Sequence, residues 1–204
     1  MTIFFTSDTH FNHGKIIEYA NRPFANIDEM DRSIIKKWNE VVKPDDMIYH
    51  LGDVAFCRDY DINYYFEQLN GIIKVLSNPW HHDKHWLPRW KFGTTEYLSK
   101  SRYKIELSPP IVVLEFKEFS TNQYPKAIML CHYQLANWDR KHYGSWHLFG
   151  HSHNKAKAEG LSLDVGVDAW DFYPVSLNRV AEILMEKEIQ ENLNFNQNLL
   201  TDSL

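Results

Sequence analysis

No stretch of this chain approaches the roughly 18 consecutive apolar residues that a membrane span requires. The first residues also lack the basic patch, apolar core and small-residue cleavage site of a secretory signal. Cysteine is scarce, with Cys57 and Cys131 the only two in 204 residues. That is too few for a disulfide framework, so a reducing cytoplasm is the expected location. A basic excess is lacking as well: 22 Lys and Arg against 27 Asp and Glu leave a formal net charge of −5. Such a balance argues against a broad basic face gripping extended nucleic acid, and leaves room for a small nucleotide or a strand end. Neither an internal repeat nor a linker interrupts the chain. One domain over residues 1–190 is expected, with an Asn- and Gln-rich, disordered tail over 191–204.

What the chain does have is aromatic bulk, 15% of residues, and eleven histidines, several of them close to Asp or Gly. The β-branched and aromatic run Thr2 to Thr6 reads as a strand buried on both faces. A short helix from Gly14 and a longer one capped by Asp28 follow, the latter carrying Met30, Ile34, Ile35, Trp38, Val41 and Val42 at helical spacing. Met47 to Leu51 is the next strand, Asp61 to Leu69 a helix stopped by Asn70-Gly71, and Ile72 to Leu76 the third strand. Strands then recur at Tyr103–Leu107, paired with Ile111–Phe116 across Pro109-Pro110, and at Ala127–Cys131, Trp146–Phe149 and Leu161–Val165. A helix capped by Ser176 closes the order and is expected to fray beyond Glu188. Alternating strand and helix predicts an α/β domain with right-handed crossovers and a mainly parallel sheet.

Five strands end in groups able to bind a metal: Asp8 and His10; Asp53; Asn78 or the cluster His81-His82-Asp83; His132; and His151 with His153. Taken singly, an Asp after a strand is as often a cap or turn residue, and a lone His is more often a packed side chain. Taken together, so many carboxylates and imidazoles on one rim would burden the fold electrostatically unless they shared a cation.

The series Asp8-Thr9-His10, Gly52-Asp53, Ser77-Asn78 to Asp83, His132 and Gly150-His151-Ser152-His153 resembles the motifs of the calcineurin-like metallophosphoesterase family. It is similar in particular to a small bacterial and phage branch sharing Ser7-Asp8-Thr9-His10-Phe11, Asn21-Arg22-Pro23-Phe24 and His50-Leu51-Gly52-Asp53. The resemblance runs from Ser7 to about Pro174. It implies an α+β fold, a four-layer β-sandwich flanked by helices, and two divalent transition-metal ions (Mn, Fe, Zn or Ni). By motif, Asp8, His10 and His153 would hold the first ion, Asp53 would bridge, and His132 and His151 would hold the second. The implied activity is hydrolysis of a small phosphomonoester or phosphodiester by a metal-activated water.

The third motif departs from the family pattern Gly-Asn-His-Asp. In one register Asn78 binds the second ion; in the other His81 does. Both leave His82 as general acid with Asp83 orienting its ring. Arg22 is a candidate to steer a substrate phosphate through its guanidinium fork, or else a surface ion pair. Rival readings are a nuclease acting on strand ends, a catalytically weakened binding scaffold, and an all-helical phosphohydrolase suggested by His82-Asp83 alone.

Overall fold

The computed structural model describes residues 1–57, 62–78, 82–87, 93–115 and 127–201, with the backbone alone over 94–96 and 191–201. In chain order the elements are β1 (Ile3–Thr6), α1 (Lys15–Tyr19), α2 (Ile27–Val41), β2 (Met47–His50), α3 (Asn63–Phe66) and β3 (Ile72–Leu76). They continue as β4 (Gly93–Leu98), β5 (Lys104–Ser108), β6 (Ile111–Glu115), β7 (Ala127–Cys131), β8 (Trp146–Phe149), β9 (Ser162–Asp164), β10 (Val175–Ser176) and α4 (Leu177–Thr201). These form two mixed sheets, one in the order β10-β1-β2-β3-β5-β4 and one in the order β6-β7-β8-β9. Ten strands among the described residues remove the all-helical alternative.

Strand alternation separates the two faces of the larger sheet. Phe4, Ile48, Ile73, Val75, Ile105 and Leu107 pack against Met30, Ile34 and Trp38 of α2. Their neighbours Phe5, Tyr49 and Leu76 turn the other way, onto Ile128, Leu130, Trp146 and Leu148 of the second sheet. Into the same inter-sheet core α4 feeds Leu177, Val180, Ala181 and Leu184. The parallel pairs β1–β2, β2–β3, β3–β5, β7–β8 and β8–β9 point their carboxyl ends alike within each sheet. A parallel bridge between Ser7 and Gly166 ties the ends of β1 and β9, and so ties the two sheets to each other.

Several boundaries differ from the sequence reading. The cap of α2 is Asn26, whose Oδ1 accepts from Glu29 N–H at 2.9 Å, while the Glu29 carboxylate accepts from Ala25 N–H at 2.8 Å. Asp28 therefore lies inside the helix. Pro109-Pro110 does not turn a hairpin. β5 belongs to the larger sheet beside β3 and β6 to the smaller beside β7, so the prolines carry the chain from one sheet to the other. Local propensity shows two adjacent strands and cannot show which sheet each joins. α4 spans Leu177–Thr201, so its backbone enters the segment read as a tail. No Gly or Pro interrupts residues 189–201, so nothing in the sequence stops the helix. Among the described residues no helix is long and apolar enough to cross a membrane.

Gly71 sits where the chain enters β3, with φ +101°. A Cβ there would stand 2.9 Å from Val42 Cγ1 and 3.1 Å from the Asp46 carbonyl, which also accepts from Ile72 N–H at 2.7 Å. Gly71→Ala is expected to lower the unfolding free energy by about 1–3 kcal/mol in a urea titration.

Candidate metal centre

The loops that follow β1 and β2 run side by side. Asp8 N–H donates to Gly52 O at 3.1 Å, His10 N–H to Asp53 O at 3.0 Å and Phe11 N–H to Val54 O at 2.9 Å. This ladder fixes Asp8, His10 and Asp53 relative to one another. The backbone at Asp8, His10, Asp53, His151 and His153 is left-handed, with φ between 48° and 67°. Left-handed backbone at a non-glycine residue costs about 1–2 kcal/mol. Its concentration at the strand ends marks a place where geometry outweighs local comfort. Gly150 N–H donates to His132 O at 3.0 Å, which joins the ends of β7 and β8. A side chain at Gly150 would overlap those of Ser7 and Asp8, so this glycine is required by close approach.

Two groups result. Asp8, His10 and His153 form one, and Asp53, His132 and His151 the other, the donor atoms within each lying within 4.8 Å of one another. Asp53 Oδ2 is 3.5 Å from His10 Nε2 and 3.6 Å from His132 Nε2, so a single carboxylate oxygen stands between them. Asp8 Oδ1 is 4.0 Å from each of the same two nitrogens. Both Asp8 Oδ1 and His10 Nε2 are buried with no hydrogen-bond partner. Orphaned buried donors and acceptors are rare and costly, and a divalent ion would satisfy both at once.

The titration tendencies run the same way. Burial raises Asp8 to about 7, with Asp164 adding to it against the opposing effects of His153 and the His151 N–H. Burial and the charge of Asp8 raise Asp53 to about 7. Burial drives His10 well below its ordinary value, reinforced by Arg22 and His153. Without a cation the site favours neutral Asp8 and Asp53 and a neutral His10; a divalent ion reverses the first tendency and suits the second. Carboxylate oxygens with neutral imidazoles form the donor set of a borderline transition metal.

Partners behind the candidate ligands fix their aim. Asp8 Oδ2 accepts from His151 N–H at 2.8 Å, leaving Oδ1 free. Asp53 Oδ1 accepts from His82 N–H at 3.1 Å, leaving Oδ2 in the centre. His153 Nδ1 is 2.7 Å from Asp168 Oδ2. Burial works against a charged His153, but this bond and the charge of Asp8 outweigh it and raise its pKa. His132 Nδ1 lies 3.5 Å from Ser7 Oγ. His50 is no ligand: its Nδ1 accepts from Gly52 N–H at 3.2 Å and its Nε2 meets Thr9 Oγ1 at 3.0 Å, while Thr9 donates to Val54 O at 2.8 Å. Burial holds it neutral, at about 3, so it clamps the two ligand loops together.

Two expectations change. Arg22 does not face a substrate. Its guanidinium is buried, paired to Asp168 at 2.8 and 2.9 Å, and donates to the carbonyls of Asp8 at 2.7 Å and Thr9 at 3.1 Å. Its N–H groups are taken up by Asp168 and the ligand loop, so it shapes the site from behind. Asp83 does not orient the His82 ring. Its Oδ1 accepts from Val54 N–H, Ala55 N–H and Trp86 Nε1–H, which anchors the segment following Asp53. His82 itself is half-buried, its ring 5.2 Å from that of His10 and 4.8 Å from that of His13. Asn78 stands half-buried two residues beyond β3, and His81 lies outside the described residues. The contributions of Asp168, His50 and Thr9 were missed by sequence reasoning, and Asp168 gives no motif signal.

The chain is 30% identical over 194 residues to the uncharacterized protein MJ1445 of Methanocaldococcus jannaschii, across 94% of this chain and 96% of that one. A shorter likeness, 37% over 51 residues, relates it to the Gene 66 protein of Mycobacterium phage L5, across 25% of this chain and 24% of the phage protein. Among solved structures, the protein of unknown function AQ665 from Aquifex aeolicus matches in fold with a TM-score of 0.60. That match is 20% identical and covers 89% of this chain and 98% of the other. No protein-family model matches the chain.

Asp168 joins a buried cation to a candidate ligand, so Asp168→Asn carries a double expectation. Unfolding free energy should fall by about 3–5 kcal/mol, because Arg22 is left buried without its counter-charge. Divalent-ion affinity, read by equilibrium dialysis, should fall about 10–100-fold as His153 loses its orientation.

Proposed function

The chain belongs to the same family as the uncharacterized protein MJ1445 of Methanocaldococcus jannaschii, and from the chemistry of its site we propose that it is a dinuclear metal-dependent phosphoesterase. Its two packed sheets with flanking helices are, on this reading, a sandwich of the calcineurin-like metallophosphoesterase kind. The observation that carries the proposal is the placement of Asp53 Oδ2 between His10 Nε2 and His132 Nε2, each of these flanked by its own group of ligands. One carboxylate oxygen within reach of two imidazole-bearing groups suits a pair of ions.

Asp8, His10 and His153 would hold one ion and His132 and His151 the other, with Asp53 between them and Asn78 or His81 completing the second set. Bound there, two divalent ions would supply Lewis acidity for the phosphoryl oxygens and an activated water for attack on phosphorus. The protein's own contribution is largely rigidity. The Asp8–Gly52 and His10–Asp53 backbone bonds, the His50–Thr9–Val54 clamp and the Arg22–Asp168–His153 chain leave the ligands little to rearrange as charge develops.

His82 takes the part of general acid. Its backbone N–H holds Asp53 Oδ1, so its position is set by the same carboxylate that lies between the ions. Burial and the charge of Lys84 lower its pKa in the resting protein. An anionic ester brought against the ring favours the imidazolium, which then gives its proton to the leaving oxygen. Asp83 serves this step only through the loop it anchors. The proposed substrates are small phosphomonoesters or phosphodiesters.

A panel of mono- and diesters assayed with added Mn²⁺ tests the activity, and no hydrolysis of any of them would overturn it. His82→Ala should keep the metal content of the wild type while kcat falls about 10²–10⁴-fold. The loss should be greatest for esters with poor leaving groups. Loss of an ion from this variant would instead make His82 a ligand.

A further inference from the structure

We infer that His13 is a positioning residue that fixes the hydrogen-bonding state of His10 and so aims His10 Nε2 into the centre, an inference that rests on the dinuclear reading above. His10 Nδ1 and His13 Nδ1 are 3.1 Å apart. Two ring nitrogens at that distance need one hydrogen between them: two would repel, and none would leave two lone pairs facing. His10 Nε2 is the buried, unpartnered atom directed at Asp53 Oδ2 and Asp8 Oδ1. Binding an ion through its Nε2 lone pair places the hydrogen of His10 on Nδ1. His13 must then accept through Nδ1 and carry its own hydrogen on Nε2.

The surroundings hold His13 in place for this task. Its ring is stacked on Phe56 at 4.9 Å with 20° between the planes, and only 9% of the residue is exposed. Its backbone N–H returns to His10 O at 3.1 Å, and its own carbonyl accepts from Ile16 N–H at 3.0 Å at the start of α1. His153 is served in the same way by Asp168, so each histidine of the first group has a dedicated partner on Nδ1. Because that partner is an imidazole and not a carboxylate, His10 is oriented without another buried negative charge beside Asp8 and Asp53.

A competing assignment exists for the same atoms. His10, His13 and His82 also have donor nitrogens within 4.8 Å of one another. A third ion held there would require His10 to give up the hydrogens of both ring nitrogens, beside two other cations and with no carboxylate in the set. Electrostatics favours the hydrogen-bonded pair.

The test compares wild type, His13→Leu and His13→Asn by zinc titration against a chromophoric chelator. Imidazole tautomers are read by ¹H–¹⁵N spectra of the zinc-loaded wild type. His13→Leu should bind one of its two zinc ions about 10–100-fold more weakly, while His13→Asn, whose Oδ1 can accept in place of Nδ1, stays within about threefold of wild type. The spectra should place the hydrogens on His10 Nδ1 and His13 Nε2. Thermal unfolding of the metal-free proteins separates lost positioning from lost folding; should His13→Leu not fold, His13→Asn and the tautomers decide. Unchanged affinity in His13→Leu, a hydrogen on His13 Nδ1, or three zinc ions falling to two in His13→Leu would overturn the inference. A wild type that binds no zinc would overturn the dinuclear reading itself, whereas a wild type with two ions and an indifferent His13→Leu overturns only the role of His13.

Discussion

Three acidic side chains, Asp8, Asp53 and Asp83, are buried within a few residues of the strand ends, and each is pushed to about 7, with burial the largest cause. A fold does not collect carboxylates in its interior without something to balance them. Asp83 has three N–H donors on one oxygen, while its other oxygen is buried without a partner. Asp8 and Asp53 each have one oxygen bonded to a backbone N–H and the other turned toward His10 and His132. That division of labour accounts for the rest of the rim. Left-handed backbone places the side chains, Gly150 makes room for Ser7 and Asp8, and the buried pair Arg22–Asp168 holds the loops from behind.

Parallel topology explains why so much of the site was legible in sequence. Strands that point alike deliver whatever follows them to one edge. A reader who finds Asp-x-His, Gly-Asp, His and Gly-His-x-His after successive apolar runs can therefore place them together without knowing which strand neighbours which. The two candidate groups contain Asp8, His10, Asp53, His132, His151 and His153, all of them visible this way. The alternation of Phe4 with Phe5 and of Ile48 with Tyr49 between two cores was less visible, because both members of each pair are apolar.

What the sequence concealed depends on direction and on distant partners. Arg22 read either as a phosphate-steering residue or as a surface ion pair, and it is an ion pair turned inward to Asp168, 146 residues away. Asp83 looked like the partner of His82 because it is adjacent, yet adjacency in a 3₁₀ turn does not make two side chains meet. Pro109-Pro110 looked like a hairpin turn because turns and sheet-to-sheet crossings use the same residues. The extension of α4 was concealed for a different reason: an Asn- and Gln-rich composition suggests disorder while containing nothing that breaks a helix.

The central claim is that Asp53 lies between two ions. Anomalous diffraction at the manganese edge, from crystals grown with Mn²⁺, tests it most directly. Two anomalous peaks are predicted, one among Asp8, His10 and His153 and one among His132 and His151, with the Asp53 carboxylate touching both. A single peak, a peak among His10, His13 and His82, or no peak at all would contradict the account.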